Sequence, residues 1–322
     1  MLLLTAIVML IAGCGNTTDS KNETPDGSPA ASTAAAKQDE VRTVKHAMGE
    51  TQIKGTPQRV VILTNEGTED LLTLGVKPVG AVKSWIGSPW YDHIKTDMEG
   101  VQDVGEETQP NLEMIAGLKP DLIIGNKVRH EKIYEQLKQI APTVFAADLR
   151  GDWKKNFALY AEAVNKKAEG EKAMADFDQR VADVKAKLGD KTATKVSVVR
   201  FSSADVRIYQ EQTFSGVLLK QLGIARPASQ AKDQFMEQLT KERIPDMDGD
   251  VLFYFVSGTG NSGDASTKVA KEWTEDPLFK NLQVSKNNKA FQVNEVVWNL
   301  AGGYKAANLL LDEIAKYFEV AQ

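Results

Sequence analysis

The feature that most constrains the fold is a long amphipathic segment near the middle of the chain. Within residues 168–188, apolar side chains recur every three or four positions among charged ones: Met174, Phe177, Val181, Val184 and Leu188. This spacing predicts one helix with a single apolar stripe. At 1.5 Å per residue the helix is about 30 Å long, enough to cross a small domain. We therefore expect a spine helix that connects two halves of the protein.

A short pattern recurs on both sides of this segment. Residues 113–124 and 242–253 each contain an acid, two apolar residues three positions apart, and an aspartate that opens an apolar run. Such a pattern is typical of a helix end that leads into a buried strand of a parallel sheet. The chain is therefore predicted to be α/β, with two Rossmann-like lobes joined by one long spine helix and a ligand cleft between the lobes.

Alternation of apolar runs with amphipathic segments places further elements in both lobes. The chain opens with a predicted hairpin, whose strands cover 41–46 and 51–53. In the first lobe we predict strands at 60–63, 79–82, 121–125 and around 144, and helices at 68–74, 111–118 and 131–140. A helix at 153–164 precedes the spine. In the second lobe we predict strands at 196–201, 206–210, 251–256 and 290–293, and helices at 215–222, 269–275 and 304–318.

The N-terminal residues form no part of this pattern. Residues 1–12 are almost wholly apolar and lead to Gly13-Cys14, which contains the chain's one cysteine. This resembles a bacterial lipoprotein signal with its lipobox, although the usual basic region is missing, and it implies lipidation of Cys14 after cleavage. A short buried helix with a free thiol is the alternative. Residues 15–40 are polar and lack periodicity, which predicts a flexible tether.

These observations define the predicted domains. They are a signal peptide with lipobox at 1–14, the tether at 15–40, a first α/β lobe at 41–152, connecting helices with the spine at 153–190, and a second α/β lobe at 191–322.

Composition and motifs exclude several functions. The net charge of −5 argues against a nucleic-acid-binding protein, which normally has a basic surface. No apolar run reaches membrane-spanning length. A receptor that binds metal directly needs several converging ligands, and the histidines are only His46, His93 and His130. No G-x-S-x-G motif occurs, and lipidation of Cys14 would leave no cysteine–histidine pair. We therefore expect a binding protein without a cofactor, not an enzyme.

The candidate site follows from the predicted strands. In open α/β sheets, ligands bind beyond the carboxyl ends of the strands. Those positions are rich in basic and aromatic residues, although the protein is acidic. Arginine offers a planar fork to anionic oxygens, and aromatic rings offer flat apolar contact. The candidate ligand-binding residues are Lys83, Trp85, Asn126, Arg129, Arg200, Arg207, Tyr209 and Trp298; Asn65, Glu66, Lys127, Ser203 and Ser257 occupy similar positions.

Some of these residues have simpler explanations. Lys83, Lys127 and Arg129 could be ordinary solvated charges. Arg200, at the end of an apolar strand, could form a structural ion pair. Trp298 lies in a polar, glycine-containing stretch, where an aromatic residue is harder to explain as part of the core.

Three stretches carry a family resemblance, namely residues 57–61, 68–80 and 110–123. They resemble the substrate-binding proteins of iron-siderophore and cobalamin ABC importers, especially the receptors for citrate-hydroxamate siderophores, and the resemblance covers residues 41–320. It implies a lipid-anchored monomer on the outer face of a Gram-positive cell membrane. Such a protein captures a ferric siderophore, leaves the iron to the siderophore, and delivers it to an ABC permease dimer with its ATPase. The connecting helix implies modest lobe closure.

The same resemblance implies two residues that contact the permease. In the family, a glutamate on each lobe docks into arginines of the two permease subunits. Glu113 matches that motif, whereas Glu242 matches it only through its spacing and Glu237 is an alternative. From the residues alone, an acid early in a helix is also explained by the helix macrodipole.

Two alternative functions remain open. A cobalamin or haem receptor would need more aromatic and fewer basic contacts. An NAD-dependent oxidoreductase could use Gly258-Thr-Gly260-Asn-Ser-Gly263, which fits the dinucleotide fingerprint and follows the strand predicted at 251–256. We expect a loop at the cleft rim instead, because residues 264–268 separate it from a helix that is short and polar.

Overall fold

The computed structural model describes residues 40–149, 151, 153–258 and 263–320. It contains two lobes, each built on a five-stranded sheet, and a helical connection between them. The predicted α/β fold of two lobes joined by one long helix is confirmed. The predicted signal peptide, Cys14 and residues 15–39 of the tether lie outside the described residues.

The sheet of the first lobe is fully parallel. Its strands, in spatial order, are Gln102–Asp103, Gly80–Ala81, Val60–Ile62, Leu122–Asn126 and Thr143–Ala146. The predicted hairpin has strands Val41–His46 and Gly49–Lys54. The helices of this lobe are Asn65–Thr73, Leu112–Gly117, Lys127–His130 and Tyr134–Ile140. A short hairpin of Gly105–Glu106 with Gln109–Pro110 was not predicted, because two-residue strands carry no periodic signal.

The sheet of the second lobe is mixed. Its strands, in spatial order, are Met236–Leu239, Val206–Tyr209, Val196–Phe201, Val251–Val256 and Ala290–Gln292, and the first two run antiparallel to their neighbours. The α-helices are Phe214–Leu222, Gly263–Thr274, Pro277–Lys280 and Gln283–Lys286. The segment Lys241–Met247, which the repeat predicted as a helix end, is a 3₁₀ helix that contains Pro245.

Some predicted helix boundaries are wrong, and the largest error is in the helix that follows the glycine-rich segment. The helix expected at 269–275 begins at Gly263 and ends at Thr274, so residues 264–268 do not interrupt it. Its Ala270 and Trp273 are buried in the core of the second lobe. Polar residues obscured its first turn, whereas the contacts of its apolar face hold it against the sheet.

The two repeated aspartates have the same structural role. Asp121 accepts hydrogen bonds from the backbone N–H groups of Gln58 (2.8 Å) and Arg59 (2.9 Å), just before the strand Val60–Ile62. Asp250 accepts one from the backbone N–H of Lys195 (2.7 Å), just before the strand Val196–Phe201. Each carboxylate therefore joins the starts of two neighbouring parallel strands, which explains why the pattern occurs once in each lobe.

The spine helix is Lys167–Leu188. Phe177, Val181, Val184 and Leu188 are buried, as the stripe predicted, and Met174 is partly buried. The preceding helix, Trp153–Ala163, and the last helix, Tyr304–Tyr317, pack beside it. One apolar cluster includes side chains from both sheets and from all three of these helices. The lobes therefore share a continuous core.

No helix in the described part of the chain is long and apolar enough to cross a membrane.

Replacing Phe177 by alanine should destabilise both lobes together. Phe177 packs against Trp153 (5.2 Å between ring centroids) and Tyr304 (6.0 Å), so its removal leaves a cavity in the shared core. We expect the free energy of unfolding to fall by about 3–5 kcal/mol in a urea titration, with one transition. Lys187→Ala, on the exposed face of the same helix, is the control and should change it little. Separate transitions for the lobes would contradict the shared core.

Candidate ligand-binding cleft

A cleft of about 330 Å³ lies between the lobes. Each sheet contains two neighbouring strands after which the chain continues toward opposite edges of the sheet. In the first sheet these strands are Val60–Ile62 and Leu122–Asn126, and in the second they are Val196–Phe201 and Val251–Val256. Ligands of open α/β sheets bind at such switch points. The lining residues are Glu66, Trp85, Glu107, Arg129, Leu149, Arg200, Arg207, Tyr209, Phe214, Phe235, Asn299, Leu300, Ala301 and Gly302.

The first lobe contributes an arginine that lies over an aromatic ring. The guanidinium carbon of Arg129 is 5.7 Å from the centroid of the Trp85 ring, within the range of a cation–π contact. Its Nε lies 3.4 Å from Oε1 of the buried Glu107. Arg129 and Trp85 are 40% and 39% exposed, so both can still contact a ligand.

Glu107 is held in place by backbone and side-chain groups. Its Oε2 accepts hydrogen bonds from the backbone N–H (2.9 Å) and the side-chain amide (2.8 Å) of Asn65, at the start of the helix Asn65–Thr73. Its backbone carbonyl accepts one from Nε2 of His130 (2.7 Å), whose Nδ1 accepts the backbone N–H of Asn126. Burial lowers the pKa of His130, which favours the neutral ring that these two bonds require. His130 is therefore a structural core residue and not a surface residue.

In the second lobe, a buried carboxylate holds Arg200 at the cleft. Its Nε donates to Oε1 of Glu295 (3.2 Å), and its Nη2 donates to Oγ of Ser257 (2.6 Å). The Glu295 side chain is 2% exposed and that of Arg200 17%. Arg200 thus forms the structural ion pair that the sequence left open, and it also lines the cleft.

Arg207 is fixed by a second acid. Its Nε and Nη2 both donate to Oδ2 of Asp205, at 2.8 and 2.7 Å. Burial alone would raise the pKa of Asp205, but hydrogen bonds from Arg207, Ser202 and Gln238 outweigh it, so that pKa lies below its usual value. The neighbouring Tyr209 is buried, which raises the pKa of its phenol to about 12. Its hydroxyl is therefore a neutral donor at physiological pH.

The third wall of the cleft comes from residues just before the last helix. Asn299, Leu300, Ala301 and Gly302 line it together with Glu66, the second residue of the helix Asn65–Thr73. The adjoining Gly303 allows the backbones to approach, because a Cβ there would lie 2.6 Å from the carbonyl oxygen of Glu66. Phe214 and Phe235 add apolar surface.

This arrangement can bind an anionic ligand with apolar parts. Three guanidinium groups converge on the cleft, and buried or partly buried acids hold Arg129, Arg200 and Arg207 chiefly through their Nε side. Charged and planar, these groups suit carboxylate-like oxygens, while the rings of Trp85 and Tyr209 suit flat apolar groups. Among the residues that the structure describes, no group of three or more histidine, cysteine or acidic side chains could hold a metal ion.

Three predicted ligand-binding residues do not line this cleft. Trp298 lies in a π-helical segment, Val296–Leu300, that turns it into the core, where it is 1% exposed, packs on Phe253 (4.7 Å between ring centroids) and donates its indole N–H to Glu313. Its placement in a polar loop at the cleft was wrong, because the segment is helical and packs this ring against Phe253 in the core.

The other two residues have local structural roles. Asn126 is fully buried, and its Oδ1 caps the short helix that follows by accepting the backbone N–H of Val128 (2.8 Å). Lys83 is partly exposed and pairs with Glu106 (2.5 Å), which holds its pKa above the usual value.

Sequence reasoning missed some lining residues. Glu107 lies in the unpredicted hairpin, and Asn299 to Gly302 follow the misread Trp298. Phe214 and Phe235 resemble ordinary core residues in the sequence. No local signal marks them, because they reach the cleft only through the packing of distant segments.

The glycine-rich segment now has the strand and helix that a dinucleotide site would need, although residues 259–262 lie outside the described residues. The backbone N–H of Gly258, however, donates to Oε2 of Glu295 (3.0 Å). This backbone N–H group is therefore not available to a phosphate.

The two predicted docking acids are exposed, one on each lobe. Glu113 is in the first turn of Leu112–Gly117 and Glu242 in that of Lys241–Met247. Neither forms an ion pair with any residue in the described ranges. Glu237 instead pairs with Lys232 (2.5 Å) and Arg243 (3.0 Å). The geometry thus favours Glu242 over Glu237 as the available acid.

With this fold and this cleft, the chain belongs to the periplasmic binding protein family, whose sequence model matches residues 60–296. The family resemblance inferred from the sequence is thereby confirmed. Its members and the relatives below are binding proteins.

Particular relatives are similar over nearly their whole length. The chain is 54% identical to the probable siderophore-binding lipoprotein YfiY of Bacillus subtilis (strain 168), over 97% of this chain and 94% of the relative. It is 32% identical to the achromobactin-binding periplasmic protein of Dickeya dadantii (strain 3937), over 82% and 88%. The crystal structure of Staphylococcus aureus SirA complexed with staphyloferrin B has a TM-score of 0.81 and 39% identity, covering 86% of this chain and 98% of that chain.

Replacing Glu295 by alanine should destabilise the second lobe. The change removes the acceptor of both Arg200 Nε and the Gly258 N–H, and it leaves a largely buried guanidinium without its main partner. We expect the free energy of unfolding in urea to fall by about 3 kcal/mol. Glu295→Gln should lose less, because its amide oxygen can still accept. The exposed Glu275→Ala is the control, and an equal loss there would contradict this role.

Proposed function

We propose that this protein captures a ferric siderophore outside the cell and delivers it to an ABC permease, and that it catalyses no reaction. The observation that carries this proposal is the convergence of Arg129, Arg200 and Arg207 on an aromatic cleft between the two lobes. Relatives named as binding siderophores, including one bound to staphyloferrin B, support the same class of ligand.

The chemistry of the ligand fits this cleft. A ferric siderophore with hydroxamate or citrate groups encloses the metal and presents anionic oxygens on its surface. Arginine nitrogens can donate to those oxygens, while Trp85 and Tyr209 contact the apolar linkers. The protein would then bind the chelator and make no bond to the iron. A hydroxamate or citrate-hydroxamate siderophore remains our proposal for the ligand.

Two other functions are less well supported. A cobalamin receptor of the same family would have little use for three arginines in one cleft, and a haem receptor would need arginines only for the two haem propionates. For an NAD-dependent oxidoreductase, the one described N–H group of the glycine-rich segment, that of Gly258, already donates to Glu295.

Tryptophan fluorescence of residues 41–322 tests the ligand class, because Trp85 lies at the cleft. The protein is titrated with ferric schizokinen, a ferric trihydroxamate, a ferric catecholate, cobalamin and NAD. We expect saturable quenching by a ferric chelate. Arg200→Ala should weaken binding by about tenfold or more, and Arg200→Lys should also weaken it, because lysine lacks the planar fork.

The control is Arg243→Ala, which removes a paired arginine outside the cleft and should leave affinity unchanged. Circular dichroism verifies that each variant is folded. A response to cobalamin alone would move the assignment within the family, and a response to NAD alone would overturn the receptor function.

Delivery requires contact with a permease. We propose that Glu113 and Glu242 dock into basic sites on the two halves of a permease dimer, which works with its ATPase. Their exposure, their lack of ion pairs within the described residues and their matched positions in the repeat support this role. We also retain the predicted lipid anchor at Cys14, the tether to residue 40, attachment to the outer face of the cell membrane, and a monomeric state.

Changing both docking acids should separate binding from transport. Glu113→Ala and Glu242→Ala should each leave siderophore affinity unchanged and lower iron uptake by cells, and the double variant should lower uptake by at least about tenfold. Uptake of radioactive iron supplied as the siderophore complex measures this.

The controls are two other acids. Glu135→Ala removes an exposed acid from the first lobe and should leave uptake normal. Glu237→Ala tests the alternative second site. Normal uptake by the Glu113→Ala, Glu242→Ala double variant would refute the docking role of this pair.

A further inference from the structure

Glu66 is an acid whose position none of the structural roles above explains. It lines the cleft, yet it is only 5% exposed. Its Oε1 accepts no hydrogen bond from the residues that the structure describes. Among the described residues, the side chain of Asn156 hydrogen-bonds to this carboxyl group. A buried carboxylate with so few donors is costly, so the group has reason to carry a proton.

The charged groups facing Glu66 are also mainly acids. Its own helix contributes Glu69 and Asp70, and the short hairpin contributes Glu107. The helix Trp153–Ala163 contributes two neutral groups, the Asn156 amide and the Tyr160 phenol. Burial, reinforced by Asp70, Glu107 and Glu69, holds the pKa of Glu66 well above its ordinary value. The start of the last helix adds backbone N–H groups, but these bind Asp70 and Glu69 instead.

The cations of the cleft are already balanced. Arg129 pairs with Glu107, Arg200 with Glu295, and Arg207 with Asp205. Three positive charges thus meet three negative ones, and an ionised Glu66 would give the cleft one negative charge in excess. An anionic ligand would be repelled by that charge at short range. When Glu66 is neutral, this excess negative charge is absent, and the arginine Nη groups can attract an anionic ligand.

We propose that Glu66 stays protonated while the cleft holds an anionic ferric chelate, and that loss of this proton expels the chelate. The inference rests on the proposed function, because it assumes an anionic ferric ligand. It makes Glu66 a determinant of specificity, since a neutral chelate gains nothing from the proton. It also makes capture dependent on pH.

The direction of the pH effect follows from linkage. An anionic chelate favours the neutral form of Glu66, so the pKa of this carboxyl is higher in the complex than in the free protein. Affinity is therefore highest below the pKa in the free protein, and it falls as pH rises through that value. One coupled proton limits the decline to about tenfold per pH unit.

Glu66→Gln supplies the test, because glutamine is isosteric and neutral at every pH. Affinity for ferric schizokinen, which is anionic, is measured by fluorescence from mildly acidic to alkaline pH. We expect the wild type to lose affinity with rising pH by up to about tenfold per unit, and Glu66→Gln to lose almost none. A neutral ferric trihydroxamate should show no such difference between the two proteins. Glu135→Gln, an exposed acid on the first lobe, should behave as wild type.

Identical pH profiles for wild type and Glu66→Gln would overturn the inference and leave the proposed function standing. Absence of binding by any ferric chelate would instead overturn the proposed function. The two failures are therefore distinguishable.

Infrared spectroscopy gives a second readout that needs no ligand. A protonated carboxylic acid has its own C=O stretching band, and the wild-type protein should show at neutral pH a contribution to this band that Glu66→Gln lacks. Asp70→Asn should keep the part of the band that belongs to Glu66. If Glu66→Gln fails to fold, the loss of the wild-type band with rising pH should follow the loss of affinity. A band that is absent, or unchanged where affinity falls, would contradict the inference.

Discussion

The packing of Trp153 between helices is the contact on which the rest of the structure depends. Its ring meets Phe177 of the spine helix (5.2 Å between centroids), Phe214 of the second lobe (6.4 Å) and Tyr304 of the last helix (6.4 Å). Aromatic contacts of this kind fix ring orientation as well as burying area. Because the same apolar cluster extends into both sheets, rotation of one lobe against the other would disturb this core. The shared core thus supports the prediction of modest lobe closure, which stays a prediction.

In a cleft that changes little in shape, binding depends on how its charged groups are oriented in advance. An arginine that a ligand must first order loses side-chain entropy on binding, whereas one already held by an acid loses less. Glu107, Glu295 and Asp205 each hold one arginine, at the cost of offsetting its charge. The arginines of the cleft are thus oriented in advance, but the net positive potential of the cleft is lower. Selection of an anionic ligand then depends on directed donors more than on an overall positive field.

The periodic parts of the sequence predicted the fold, and the aperiodic parts did not. The stripe from Met174 to Leu188 and the repeated aspartates Asp121 and Asp250 correspond to the spine and to matched strand starts. Trp85, Arg129, Arg200, Arg207 and Tyr209 were placed at strand ends and do line the cleft, while their contact with a ligand remains a prediction. Trp298 was misplaced because its segment is a π-helix that packs the ring into the core, and Glu107 was missed because its hairpin has two-residue strands. The acids that orient the arginines are invisible to local patterns, since each comes from a distant segment.

The acids of the helix Asn65–Thr73 show how structural and functional roles can be separated. Asp70 accepts the backbone N–H of Tyr304 (3.0 Å), and Glu69 accepts that of Ala306 (2.9 Å) and pairs with His93. Both therefore cap the last helix, whose first N–H groups would otherwise lack partners. Glu66, one turn earlier, has no such duty, although it is nearly as buried. An apolar residue would fill its place at lower cost if the fold alone mattered. The stability of the protein accounts for two of these three acids, and the chemistry of the cleft is left to account for Glu66.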